Sequence, residues 1–205
     1  ISASHALGLI SFTEPIGRPI DVTLIQGNFP QSLKFDPEYI HQQVSFYSNA
    51  IKSSDSHLVV APETAFPLPL KAIPQELISN IKPNIAKKNV ILGVVSTGNS
   101  GLPTNSAIAL NQGNLIYQYD KNHLVPFGEF IPWGFQWFVD LFKVPLGNFE
   151  RGSMTQVPYI LEHGSDQIAI GLMICYEDVF GDELAKRQRN SSLEHHLWIN
   201  LTNLA

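Results

Sequence analysis

Apolar residues along this chain fall into short runs closed by turn formers, interleaved with stretches where they recur every third or fourth position. Asp21-Val-Thr-Leu-Ile-Gln26 reads as a strand followed by a polar turn through Gly27, Asn28 and Pro30. Asp36 and Pro37 supply a cap and a first-turn proline, which predicts a helix to about Lys52 with Ile40, Val44, Tyr47 and Ile51 on one face. Leu58-Val-Val-Ala61 is a short strand ending at Pro62-Glu63, and Pro74 opens a second helix with Leu77, Ile78, Ile81 and Ile85 at helical spacing, disturbed by Pro83. Val90 to Val95 is another apolar strand, and Ser106 to Leu110 with Leu115 to Tyr119 predicts a hairpin. A loop-rich region runs from Lys121 to about Pro158. Gln167 to Ile174 then reads as a strand, Asp182 to Arg189 as a helix and His196 to Leu201 as a last strand. Helices alternate with buried strands at both ends of the chain and antiparallel pairing lies between, so the expected class is α/β with mixed sheets.

The 205 residues, 44% hydrophobic and 15% charged, suit one domain with a substantial core. Thirteen basic against eighteen acidic side chains give a net charge of -5, without a long Lys/Arg run, which argues against nucleic acid as a partner. No stretch approaches the roughly 18 consecutive apolar residues of a membrane-spanning helix. The chain starts at Ile1 without a signal-peptide pattern and stops in the apolar segment Trp198-Ile-Asn-Leu-Thr-Asn-Leu-Ala205, so both ends are expected to continue in a longer polypeptide. His195 and His196 are adjacent rather than four apart and no HExxH occurs, so no metal site is expected.

Cys175 is the single cysteine, which excludes an internal disulfide and a CxxC redox or zinc motif. Most lone cysteines are small buried hydrophobes. Here the apolar run Gly171-Leu-Met-Ile174 breaks at Cys175 into Tyr-Glu-Asp178, which would deliver the thiol to a strand end. Val59-Val-Ala-Pro-Glu63 places a carboxylate at another strand end, and Tyr117-Gln-Tyr-Asp-Lys121 an ammonium at a third. Ligands of open α/β sheets gather at the carboxyl ends of strands, so Glu63, Lys121 and Cys175 are expected to converge. A buried carboxylate can take the thiol proton, while lysine and the backbone N–H of Tyr176 can stabilise an oxyanion. Taken singly, Glu63 reads equally well as a loop carboxylate capping N–H groups, and Lys121 as a solvated turn residue.

The strings Ala61-Pro-Glu-Thr-Ala-Phe-Pro67, Tyr119-Asp-Lys-Asn-His-Leu-Val-Pro-Phe-Gly-Glu-Phe130 and Ile174-Cys-Tyr-Glu177 resemble the nitrilase, or carbon-nitrogen hydrolase, superfamily. Gln26-Gly-Asn, Pro30-Gln-Ser-Leu-Lys34, Arg151-Gly152 and Glu177 make the chain most similar to the catalytic domains of the apolipoprotein N-acyltransferase family, from about Ile20 to Asn203. The resemblance implies a four-layer α-β-β-α sandwich, incomplete at its C-terminus, over residues 20–205, with residues 1–19 leading in from a membrane region. It implies an enzyme of the bacterial inner membrane, its catalytic domain facing the periplasm. Such an enzyme moves an acyl chain from a glycerophospholipid, through a cysteine thioester, to the N-terminal diacylglyceryl-cysteine of a lipoprotein. No cofactor is implied. Carried over by motif, Cys175 would be the acylated nucleophile, Glu63 the base and Lys121 the oxyanion partner. Glu129 would orient Lys121, with Tyr176 and Glu177 in support. Two positions depart from the family pattern: Phe35 stands where tryptophan is frequent, and Leu204 where aspartate is usual.

Eight Phe or Trp residues lie from Phe127 to Phe149. As a helix, positions 135, 138, 139 and 142 would form one apolar stripe, widened by Trp137 and Leu141. Such a stripe suits a lid dipping into lipid headgroups, with Phe35, Phe127 and Trp137 as substrate contacts, and equally suits packing on the domain's own core. Two other functions fit the residues: a soluble amidase of the same superfamily with water as final acceptor, and a catalytically silent remnant that binds lipid or a partner.

Overall fold

The computed structural model describes residues 10–203 apart from 12–13, 16, 31–32, 34–35, 70–71, 73–87, 113, 127, 131–147 and 191–196. Helix α1 spans Pro37–Ser53, and the Asp36 side chain accepts the N–H groups of Glu38 and Tyr39 at 2.9 and 3.3 Å, satisfying two of the helix's free donors. Strands β1 (Val22–Leu24), β2 (Leu58–Val60), β3 (Asn89–Thr97), β4 (Pro103–Asn111) and β5 (Asn114–Asp120) form one sheet in that order. The first three are parallel and the last three antiparallel. A second sheet holds β6 (Tyr159–His163), β7 (Asp166–Ile174) and β8 (Leu197–Leu201), with β7 antiparallel to β6 and parallel to β8. Helix α2, Gly181–Asn190, follows a 3-10 turn over Cys175–Val179.

The period of two along the strands sorts the core into two layers. Val59, Val90, Leu92, Val94 and Ile108 face α1, whose Val44, Tyr47 and Ile51 recur at helical spacing against them. Leu58, Val60, Ile91, Ala107, Ala109 and Tyr119 face the other way, onto Tyr159, Leu161, Ile170, Leu172, Ile174 and Leu201 of the second sheet. Helix, sheet and sheet therefore stack around two apolar interfaces, and the mixed α/β class holds.

Two differences from the sequence pattern have physical causes. Strand β4 begins three residues before Ser106, because Thr104, Asn105 and Ser106 are buried despite being polar. Their side chains find partners: Thr104 Oγ1 lies 2.8 Å from Ser106 Oγ, which donates to Asp120 at 2.6 Å. Strand β6 is absent from the expectation because only Tyr159, Ile160 and Leu161 are apolar, while its last residues Glu162 and His163 are polar although they pair with β7. The helix expected from Pro74 and the aromatic stripe from 135 to 142 lie outside the described residues.

Gly93 in β3 sets the position of one predicted site residue. The chain leaving β2 folds over β3, where the Gly93 N–H donates to the Pro62 carbonyl at 3.1 Å and the Phe66 N–H to the Gly93 carbonyl at 2.9 Å. A Cβ on Gly93 would stand 2.5 Å from the Thr64 nitrogen and 2.6 Å from Glu63 Cα, so only hydrogen fits. Thr64 adopts φ 53, and buried Gln43 of α1 donates to the Thr64 and Ala65 carbonyls at 2.6 and 3.2 Å, fixing the turn from above. Gly93→Ala is expected to overpack this contact and cost about 1–3 kcal/mol. Urea unfolding checks it: an unchanged midpoint would show that the turn yields freely.

Candidate active site

Lys121 leaves β5 in continuation of the strand, its N–H bonded to the Asn105 carbonyl at 2.8 Å and its carbonyl accepting from the Gly152 N–H at 2.9 Å. Gly152 is required there, since a Cβ would lie 2.0 Å from the Asp120 carbonyl oxygen. The lysine is only 1% exposed. An ammonium in such a place is tolerated when paired and hydrogen-bonded. Its Nζ lies 3.2 Å from Glu63 Oε1 and 3.1 Å from Glu129. Burial alone would lower the Lys121 pKa, but the charges of Glu63, Glu129 and Cys175 outweigh it and hold the pKa above the ordinary lysine value.

Glu129 is held by a turn that it closes itself. Its carboxylate accepts the Val125 N–H at 2.8 Å, and its own N–H donates to the Val125 carbonyl at 2.9 Å. The Asn105 amide nitrogen donates to both carboxylates, at 2.8 Å to Glu63 and 2.5 Å to Glu129.

Cys175 is the first residue past β7 and has φ 57, in the left-handed region that non-glycine residues avoid at a cost on the order of 1–3 kcal/mol. The kink turns its side chain out of the strand's alternation and toward Glu63 and Lys121. Asn200 of β8 anchors the turn by donating to the Cys175 carbonyl at 2.9 Å. The thiol is half-buried, with Glu63, Lys121 and the backbone N–H of Tyr176 near enough to bias its titration. Burial, then the Glu63 charge, push its pKa up, and the Lys121 charge and the Tyr176 N–H partly offset them.

The two residues after Cys175 divide their roles. The Tyr176 ring stands over Lys121, 5.9 Å from Nζ to centroid, with its hydroxyl donating to the Leu124 carbonyl at 3.0 Å. Glu177 lies beneath the site. Its carboxylate accepts from the backbone N–H groups of Ile174 at 2.8 Å, Asn122 at 2.8 Å and His123 at 3.1 Å, and from the Tyr119 hydroxyl at 3.0 Å. One side chain thus ties the turn carrying Cys175 to the loop carrying Lys121. Farther out, His123 contacts Glu183 at 2.5 Å and stacks on Phe180, joining the same loop to α2.

Glu63, Lys121, Glu129 and Cys175 therefore form one cluster at the strand ends, with the Tyr176 ring beside Lys121. Phe35, Phe127, Trp137 and Leu204 lie outside the described residues. Among the described residues no group of three or more His, Cys, Asp or Glu side chains could hold a metal ion. Asn105 and Asn200 were not expected from the sequence. Their signal is a side-chain amide inside a strand, Asn105 within Pro103-Thr-Asn-Ser106 and Asn200 within Leu197-Trp-Ile-Asn-Leu201. The group supplies a thiol, a carboxylate beside it, a fixed positive charge and a neighbouring backbone N–H, a set suited to acyl transfer through sulfur.

Because the Cys175 pKa is raised, the resting group is the thiol at neutral pH. Alkylation by iodoacetamide is expected to accelerate with pH about a midpoint above the ordinary thiol value, and Lys121→Met should move that midpoint higher, since the ammonium favours the thiolate. A midpoint that falls in Lys121→Met would refute this electrostatic account. The stability linkage has the same sign for both groups. A pKa higher in the folded chain favours folding in full below the unfolded value and loses that contribution as pH rises through the folded one, so stability declines on the alkaline side. Cys175→Ser should flatten part of that decline in unfolding measured at pH 8 to 11.

The family model described as carbon-nitrogen hydrolase matches residues 21–191. The chain is 39% identical over 208 residues to an apolipoprotein N-acyltransferase of Ralstonia nicotianae, covering 100% of this chain and 39% of the relative. It is 34% identical over 188 residues to one of Nitrosomonas europaea, covering 90% of this chain and 37% of the relative. The chain thus spans about two-fifths of the length of these curated relatives. A carbon-nitrogen hydrolase of Helicobacter pylori shares the fold at TM-score 0.58 and 16% identity, over 89% of this chain and 60% of that one. An amidase of Nesterenkonia does so at TM-score 0.55 and 15% identity, over 93% and 67%. Its fold and the family match over most of its length agree: the chain belongs to the carbon-nitrogen hydrolase family.

Proposed function

We propose that the protein containing this chain is an apolipoprotein N-acyltransferase that moves an acyl chain from a glycerophospholipid to the N-terminal amine of a diacylglyceryl-cysteine lipoprotein. The observation that carries the reading is the gathering of Cys175, on the left-handed turn past β7, with the paired Lys121 and Glu63. The identity of 39% to a relative of that name supports a transferase over an amidase, since the amidase structures are alike in fold alone.

In the first half-reaction Glu63 takes the proton from Sγ as the sulfur attacks the ester carbonyl carbon of the phospholipid. Lys121 and the Tyr176 N–H stabilise the oxyanion. The ester C–O bond breaks, the lysophospholipid oxygen takes the proton back from Glu63, and a thioester remains on Cys175. In the second, the lipoprotein α-amine attacks the thioester carbonyl and gives a proton to Glu63. The C–S bond breaks, the amide leaves and the thiolate recovers the proton. Glu129 orients Lys121, and Glu177 keeps the two loops in register. The reaction takes place at the inner membrane, with this domain on the periplasmic side. Phe35, Phe127 and Trp137 contact the acyl donor.

The full-length protein, incubated with isotope-labelled phospholipid in vesicles, should gain one acyl mass on Cys175, discharged by a diacylglyceryl-cysteine peptide to give the N-acylated product. Discharge by water, with small amides as the better donors, would instead make the protein an amidase. Absence of any adduct would leave a lipid- or partner-binding role.

A further inference from the structure

Two carboxylates flank Lys121, and proximity alone does not decide which one takes a proton. Their hydrogen bonds do. Glu129 is occupied on both oxygens: Oε1 accepts from Asn105 at 2.5 Å and from Lys121 at 3.1 Å, while Oε2 accepts from the Val125 N–H at 2.8 Å and lies 3.1 Å from Lys121. Glu63 accepts from Asn105 at 2.8 Å and Lys121 at 3.2 Å, and both bonds fall on the same oxygen, Oε1. Glu63 Oε2 carries neither donor.

We infer that Asn105 is a positioning residue that steers the Cys175 proton onto Oε2 of Glu63, by occupying Oε1 and by helping to saturate Glu129. The inference rests on the reading of Cys175 as nucleophile and Glu63 as its base. Three observations support it. The orientation of the amide is unambiguous, since two carboxylate oxygens face one end and only the NH2 group can meet both. The backbone is fixed, because the Asn105 carbonyl accepts the Lys121 N–H and the residue pairs with Val95 across the sheet. The side chain is also a poor element for stability alone: Asn105 is 6% exposed, and its Oδ1 is buried without a hydrogen-bond partner. An orphaned acceptor of this kind is a net cost to stability, which an apolar residue in the same strand would avoid.

Charge explains why an amide fits here. Two carboxylates around one ammonium leave the cluster one unit negative. A lysine or arginine at 105 would compete with Lys121 for both carboxylates, and an aspartate would add a third negative charge. Asparagine gives two N–H donors and no charge, so it orients both carboxylates without adding to the charge around them.

The test is acylation of Cys175 in the full-length, detergent-solubilised protein by p-nitrophenyl acetate, followed as the gain of one acetyl mass in a single turnover. In this step sulfur attacks the ester carbonyl and p-nitrophenolate leaves, with no lipid or lipoprotein required. In Asn105→Asp the acidic limb of the rate profile is expected to move up by about one pH unit, and in Asn105→Ala in the same direction by less. The wild-type limb in a folded variant, with amplitude reduced in proportion to lost protein, makes Asn105 structural and overturns the inference. Thermal melting of each variant separates these cases, and Asn105→Ala decides if Asn105→Asp does not fold. A wild-type protein that fails to acylate overturns the nucleophile reading itself, a result distinct from a normal wild type with unmoved variants.

Discussion

The structure is organised around one buried cation. Lys121 gives up its hydration, and both Glu63 and Glu129 must stand within hydrogen-bond reach to compensate. Those carboxylates come from different parts of the chain, and each arrives through a backbone device. Glu63 is brought in by the missing side chain of Gly93 and the left-handed Thr64, Lys121 by the close passage of Gly152, and Glu129 by its own turn onto Val125. The cost of desolvating one ammonium thus propagates into conformational requirements at three loops and one position inside a strand.

A second constraint binds the halves of the site together. Glu63 and Lys121 belong to the first sheet, while Cys175 ends a strand of the second, so nothing in either sheet alone sets their separation. The sheet interface around Ile91, Tyr119, Ile170 and Leu172 supplies the bulk adhesion. Glu177 supplies direction, because its carboxylate accepts backbone N–H groups from both loops at once. Hydrophobic contact is tolerant of small slides and a four-bonded carboxylate is not.

What the sequence disclosed follows the same division. Strands β2, β3 and β7 are apolar enough to be seen directly, and Glu63, Lys121 and Cys175 are conspicuous because each stands just past the end of an expected strand. Strand β4 was seen only in part, because its first residues are polar and their pairing with Asp120 and Glu63 is a tertiary fact. Asn105 was hidden for that reason: one asparagine in a strand carries no mark of the two carboxylates waiting for it. The contacts of Glu177 were hidden too, since motif matching marks the residue as needed while three of the four donors that meet it come from residues 119–123, far away in the sequence.

The left-handed backbone of Cys175 has a wider consequence. A side chain in the regular alternation of β7 would belong either to the inter-sheet core or to the opposite face, and in neither place could it meet a group at the end of the first sheet. By reversing the local twist for a single residue, the chain lends one side chain of the second sheet to the first. The reacting sulfur therefore sits at a seam. Its distance from Lys121 registers how the two sheets lie on each other, and a slip in their packing, however remote, reaches the chemistry as a change in one contact.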